Sequence, residues 1–132
     1  MDAVVEDGNP NDSTLAVKMV QRLTDLYTRP PRQVSFDGGF TSKSNLAEFK
    51  RLGVVDGCFS KTGYLKVTDM VRSSWVYRRL RRFRAGVESV ISFLKRCFGL
   101  SRCSWRGYES FKAYTWSSLL SANLLVLARL TL

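Results

Sequence analysis

Histidine is absent from this chain of 132 residues, and cysteine occurs only three times. Without histidine, and without a Cys-x-x-Cys pair, the common zinc sites and the Ser-His-Asp and Cys-His nucleophiles are excluded. The cysteines Cys58, Cys97 and Cys103 form an odd and sparse set. Such a set is typical of a protein kept in a reducing compartment, and we predict a cytoplasmic location.

A long unbroken apolar segment is also missing. The most apolar stretch, residues 113–132, is interrupted by serines, by Asn123 and by Arg129. A helix that spans a membrane needs about 20 nearly unbroken apolar residues. We therefore expect a buried terminal helix and no membrane span, and we keep binding to a membrane surface or a partner protein as an alternative function.

Acidic residues are scarce, 11 against 21 basic ones, which gives a net charge of +10. The excess is concentrated between Met70 and Lys112, where 11 basic residues stand against two acids, Glu88 and Glu109. A dense basic segment indicates a polyanionic partner, and nucleic acid is the first candidate. A solvated basic face is the alternative.

The apolar fraction of 45% indicates a globular chain, and the length suits one small domain. In about residues 1–67, strand and helix patterns alternate. They predict strands at residues 2–5, 33–36 and 54–59. They also predict one helix that is capped by Asp12 or Ser13 and ends before Pro30, and another that starts at Ser42 or Ser44 and stops at Gly53. Because this order implies a sheet with crossover helices, we predict an α/β fold.

The remainder, residues 68–132, carries only helical signals. We expect one helix over about residues 69–98, with or without a break near Gly86, and a last helix over about residues 108–130. This helical part would complete a single domain over residues 1–132.

Asp37 is the first residue that could take part in chemistry. It lies at the end of a predicted strand, directly before Gly38 and Gly39. Sites in α/β folds form at strand ends, and a carboxylate there can bind a hard cation such as Mg²⁺. A cap of the following turn is an alternative of equal weight.

Glu88 is the second candidate. On a helix, Arg84, Glu88 and Lys95 share one stripe. That pattern suits either an ordinary helix salt bridge or a metal ligand between cations that bind phosphate.

The same predicted helix carries arginines interleaved with aromatic residues: Arg78, Arg79, Arg81, Arg82 and Arg84, with Trp75, Tyr77 and Phe83. Arginine can bond phosphate through two nitrogens and can stack on aromatic rings. We therefore predict that this cluster binds the DNA backbone without sequence specificity.

Four stretches, in this order, resemble the C-terminal half of bacterial insertion-sequence transposases with a ribonuclease H-like DDE domain. They are Gly8-Asn9-Pro10-x-Asp12; Phe36-Asp37-Gly38-Gly39-Phe40 followed by Ser42; Arg84-x3-Glu88-x6-Lys95; and Trp105-Arg106-Gly107 followed by Ser121-Ala122-Asn123-Leu124. The resemblance covers nearly the whole chain. One departure is Arg81, where some members of the family have tyrosine.

The resemblance implies an incomplete ribonuclease H-like fold, with about three strands followed by helices. It also implies metal-dependent cleavage and strand transfer at transposon ends, with Asp37 and Glu88 as catalytic carboxylates and as ligands of Mg²⁺ or Mn²⁺. Arg84 and Lys95 would hold the DNA backbone. The implied partners are transposon-end and target DNA, and self-association into a homo-oligomer is left open.

A first catalytic aspartate of this family is not identified. Asp2, Asp7 and Asp12 do not have the sequence context of that residue, and the strands that would hold it have no counterpart. Two carboxylates should bind metal ions more weakly than three. We therefore expect the chain alone to be inactive, and DNA binding without catalysis is the alternative function.

Overall fold

The computed structural model describes residues 1–131, and Leu132, the last residue of the predicted domain, lies outside the described residues. The chain divides into two compact units. The sheet unit is residues 9–86, and the helical unit is residues 1–8 together with the chain from Val87 onward. The proposal of one domain over the whole chain stays a prediction.

Two parallel strands form the centre of the sheet unit. Strand β1, Gln33–Phe36, pairs with β2, Asp56–Phe59, so that Gln33 lies opposite Asp56 and Phe36 opposite Phe59. Parallel strands need a crossover connection. Here that connection contains a short 3-10 helix, Gly38–Phe40, and helix α2, Lys43–Arg51; helix α1, Asp12–Tyr27, precedes β1, and helix α3, Val67–Met70, follows β2.

The starts of the first two helices follow from local capping. Helix α1 begins one residue earlier than predicted, because the Oδ1 atom of Asn11 accepts a hydrogen bond from the Ser13 amide at 3.0 Å. Helix α2 begins after Ser42, one of the two predicted positions, and the Ser42 hydroxyl caps it. Strand β1 has the predicted bounds, 33–36.

The predicted strand at residues 2–5 is wrong. The Met1 carbonyl accepts a hydrogen bond from Asn123 Nδ2 at 2.9 Å, and the Val5 carbonyl accepts one from the Tyr108 hydroxyl at 2.7 Å. Side chains of the last helix therefore satisfy backbone groups that a strand would use for its ladder. Within residues 1–131 the sheet has two strands and not three, and the ribonuclease H-like arrangement stays a prediction.

The core of the sheet unit is apolar and partly aromatic. Ala16 and Val20 of α1 are fully buried, and the rings of Phe36, Phe49 and Phe59 lie with centroids 5.2–6.4 Å apart. Burial of this area removes apolar surface from water, which is the main stabilising contribution to such a unit. The packing of these rings holds helix α2 against the strands, and it thereby fixes the position of the loop that follows β1.

The long helix predicted over residues 69–98 is interrupted near its start. Val71 is extended, with φ −144° and ψ 155°, and the Arg72 amide donates to Asp56 Oδ1 at 3.0 Å. Helix α4, Ser74–Cys97, begins only after this contact and then runs through Gly86 without a break. The interruption follows from the buried carboxylate, since its hydrogen bond requires the chain to leave the helical path.

The helical unit contains the last helix, α5, Tyr108–Thr131. Leu119 and Ala122 of α5 pack with Leu94 in a small apolar cluster. The expectation that the terminal helix is buried is wrong for its second half, where Leu124 and Leu130 are 56% and 78% exposed. No helix among the described residues has the length and apolar character needed to cross a membrane.

Candidate active site

Asp37 lies at the edge of the sheet where both strands end. It follows β1 and caps the short 3-10 helix, with its Oδ1 accepting a hydrogen bond from the Gly38 amide at 2.6 Å. The same oxygen accepts one from the Ser60 hydroxyl at 2.8 Å, and Ser60 directly follows β2. The predicted turn-cap role is therefore present, at a strand end where sites of α/β folds form.

The second oxygen of Asp37 pairs with an arginine of helix α4. Arg84 Nη2 lies 2.9 Å from Asp37 Oδ2, with the Arg84 side chain 26% exposed and that of Asp37 57% exposed. The hydrogen bonds from Ser60 and from Gly38, with the charge of Arg84, hold the pKa of Asp37 below its ordinary value. Asp37 is therefore an ionised carboxylate near neutral pH.

The Asp37 carboxylate is a suitable oxygen ligand for a divalent cation. An exposed, ionised carboxylate is the donor type that Mg²⁺ and Mn²⁺ prefer, so Asp37 fits such an ion. Its Oδ2 is occupied by the Arg84 guanidinium, which a cation would have to displace or share. No group of three or more His, Cys, Asp or Glu residues within residues 1–131 is arranged to hold a metal ion.

Glu88 and Lys95 lie on the part of helix α4 that belongs to the helical unit, and both are exposed. Arg84 lies in the sheet unit, where it meets Asp37. The structure thus brings together two of the predicted site residues, Asp37 and Arg84. Glu88 and Lys95, both on the part of α4 within the helical unit, keep the spacing of about two helical turns that the sequence predicts.

The predicted arginine cluster occupies the exposed side of α4. Val76 and Leu80 of this helix are buried in the core of the sheet unit, and the outward positions are taken by Arg78, Arg79, Arg81 and Arg82. Two of these guanidinium groups lie over aromatic rings, Arg79 over Trp75 at 5.0 Å and Arg81 over Tyr77 at 5.8 Å. The stacking leaves the cations exposed to a polyanion.

The sequence analysis did not single out three residues that the structure shows to be important. They are Ser60, which bonds to Asp37, and the pair formed by Asp56 and Arg72. Asp56 had a signal, because it is a lone acid inside an otherwise apolar predicted strand. It is fully buried. Burial raises its pKa, but hydrogen bonds from Arg72 and from Gln33 outweigh that effect and lower the pKa to about 2. Ser60 carries no signal of its own, since its role depends on the pairing of β1 with β2.

A family model described as a transposase DDE domain matches residues 1–124. The match includes Asp37, Arg84 and Glu88 and extends into helix α5. No curated protein and no solved structure matches the chain.

Proposed function

The chain belongs to the family of transposase DDE domains, and from that premise we propose that it acts in DNA transposition by binding DNA through helix α4. The observation that carries the proposal is the set of exposed arginines on α4, Arg78, Arg81 and Arg82. The same helix supplies Arg84, which pairs with Asp37 at 2.9 Å at a strand end. Asp37 and Arg84 come from separate stretches of the family resemblance.

DNA binding is supported by the arginines on the exposed side of α4. Arg78, Arg81 and Arg82 are exposed, and the chain as a whole carries a net charge of +10. Guanidinium groups on a helix can bond backbone phosphates and release the counterions that surround DNA. Such contacts position the protein on DNA and carry no sequence information.

We further propose that Asp37 and Glu88 are the catalytic carboxylates and would hold Mg²⁺ or Mn²⁺. When bound, such ions activate the attacking oxygen and stabilise the leaving oxygen in phosphodiester cleavage. Ser60 and Gly38 orient the Asp37 carboxylate and keep it ionised. Arg84 and Lys95 would hold backbone phosphates, which for Arg84 requires exchanging a carboxylate partner for a phosphate.

The second candidate function is DNA binding without cleavage. It is favoured by the lack of a three-carboxylate group among residues 1–131. A site with one ligand fewer binds its metal more weakly and orients it less well. The cytoplasmic location and self-association stay predictions.

Incubation of supercoiled plasmid with the pure protein in Mg²⁺, Mn²⁺ or EDTA tests the catalytic part. If Asp37 and Glu88 catalyse cleavage in this chain, nicking needs the metal and disappears in Asp37→Asn and in Glu88→Gln. Glu48→Gln removes an acid from helix α2 and is the matched control. DNA binding with no metal-dependent nicking would reject catalysis by this chain and leave the second candidate.

A further inference from the structure

The edge of the sheet opposite to Asp37 carries a second concentration of polar side chains. Gln33 and Asp56 begin the two strands and lie opposite each other in register, whereas Asp37 and Ser60 follow the strand ends. Because the strands are parallel, their first residues share one edge and their last residues share the other. The polar group around Asp56 is therefore separate from the candidate active site.

Asp56 organises this edge. Its buried carboxylate accepts a hydrogen bond from Arg72 Nη2 at 3.0 Å and another from Gln33 Nε2 at 2.8 Å. Because the amide nitrogen of Gln33 faces Asp56, its Oε1 faces Arg79 and accepts a hydrogen bond from the Nη2 atom. Arg79 also lies over the Trp75 ring. These contacts hold two guanidinium groups and an indole in place before any ligand binds.

The side chains at this edge enclose an open pocket of about 300 Å³. It is lined by Arg32, Gln33, Arg72, Trp75, Val76 and Arg79. The three arginines that line the pocket carry three positive charges, and Asp56, which pairs with one of them, carries one negative charge. The net charge of this group is therefore +2. Among the described residues Arg32 has no ion-pair partner, and Trp75 is 59% exposed.

The positive pocket continues along helix α4 into an apolar one. Trp75, Arg79 and Phe83 follow each other at intervals of four residues, which places them on one stripe with a rise of about 6 Å between neighbours. A neighbouring pocket of about 350 Å³ includes Arg79 and Phe83, and Phe83 is 69% exposed. Aromatic, cation and aromatic groups thus alternate along this stripe.

We propose that the Arg32, Arg72, Arg79 and Trp75 pocket binds a backbone phosphate of a single-stranded nucleic-acid segment, with an unpaired base against Trp75. The inference rests on the proposed DNA function and adds a second contact for the same substrate. Fixed guanidinium groups match the geometry of a phosphate. Exposed aromatic rings stack on bases that have left the duplex, whereas paired bases are already stacked inside it.

Fluorescence anisotropy with a labelled 12-nucleotide single strand of mixed sequence, and with its duplex, tests the pocket. The variant Arg32→Gln/Arg79→Gln should bind the single strand about tenfold more weakly than the control Lys18→Gln/Lys50→Gln, which loses the same charge. Trp75→Leu should weaken single-strand binding about tenfold and change duplex binding by less than about twofold. Trp75→Phe keeps an aromatic ring and should stay within about threefold of the parent protein.

Two results would overturn the inference. One is equal loss of single-strand binding in the pocket variant and in the control variant. The other is displacement of the single strand by inorganic phosphate at an equal phosphate concentration, since free phosphate would then be the ligand. The pocket variants keep Asp37, Glu88 and three exposed arginines of α4, Arg78, Arg81 and Arg82, so this test and the nicking test can fail separately. Circular dichroism melting shows that each variant is folded.

Discussion

At the scale of single residues, two aspartates of the same sheet have different surroundings. Asp56 begins β2, is fully buried and is bound by Arg72; Asp37 follows β1, has a side chain 57% exposed and is bound by Arg84. Hydrogen bonds lower the pKa of both. A buried charge cannot lose its partner without a large free-energy cost, whereas an exposed one can exchange partners. Asp56 therefore stabilises the fold, and Asp37 is available for chemistry.

The lowered pKa of Asp56 predicts a loss of stability in acid. Its folded-state pKa of about 2 lies below the ordinary 3.8, so its contribution is complete above about pH 4 and is lost as the pH falls toward 2. The expected loss of unfolding free energy from this group is about 2 kcal/mol. Urea denaturation at several pH values measures it. Asp56→Asn should be less stable at pH 7 and should lack this part of the pH dependence; an unchanged acid profile in that variant would contradict the assignment.

The hydrogen bond from Ser60 to Asp37 predicts that replacing Ser60 changes the pKa of Asp37. The Ser60 hydrogen bond is the largest of the influences that lower the pKa of Asp37. Ser60→Ala should therefore raise that pKa toward its ordinary value, as followed by the carboxyl carbon resonance of Asp37 in NMR spectra over a pH series. Ser89→Ala, which replaces an exposed serine, should leave the titration unchanged. An Asp37 titration that is identical in the Ser60 variant would show that the hydrogen bond does not form in solution.

At the scale of elements, two glycines have opposite expected responses to a methyl group. Gly53, after helix α2, has φ +91°, and a Cβ there would lie 3.2 Å from Pro30 Cγ. Gly86 lies inside helix α4, and a Cβ there would meet nothing within 4 Å. The first position needs a left-handed backbone, and the second loses helix stability by lacking a side chain.

We therefore expect Gly53→Ala to destabilise the protein by about 1–2 kcal/mol and Gly86→Ala to stabilise it by about 0.5–1 kcal/mol. Urea unfolding of both variants beside the parent protein measures the two changes. Each variant serves as the control for the other, since both add one methyl group. Destabilisation by Gly86→Ala would mean that α4 is not a continuous helix in solution.

Elements whose ends depend on nearby residues could be predicted from the sequence. Strand β1 is bounded by Pro31 and by Asp37-Gly38, and helix α2 by Ser42 and Gly53, so local chemistry was sufficient. The failures involve distant partners. The carbonyls of Met1 and Val5 bond to side chains of α5, and Arg72 bonds to Asp56, so neither the missing strand nor the break before α4 has a local cause.

At the scale of the whole molecule, the candidate site also has a part that local sequence predicts and a part that depends on distant contacts. Asp37 was predicted because strand ends and Gly-Gly turns are visible in the sequence. Its contacts with Ser60 and Arg84 depend on the pairing of β1 with β2 and on the packing of α4, and they required the structure. The arginines of α4 could be predicted as a basic cluster, because their interleaving with buried Val76 and Leu80 follows the helical period.

The DNA affinity of the pure chain over a series of salt concentrations tests the central claim, binding through α4, most directly. Anisotropy with a labelled 30-base-pair duplex would compare the parent protein, Arg78→Gln/Arg81→Gln/Arg82→Gln and the charge-matched control Lys18→Gln/Arg29→Gln/Lys50→Gln. If the three α4 arginines contact three phosphates, their loss reduces the slope of log K against log salt by about 3. The control should keep nearly the full slope. Equal slopes for both triple variants would contradict DNA binding through α4.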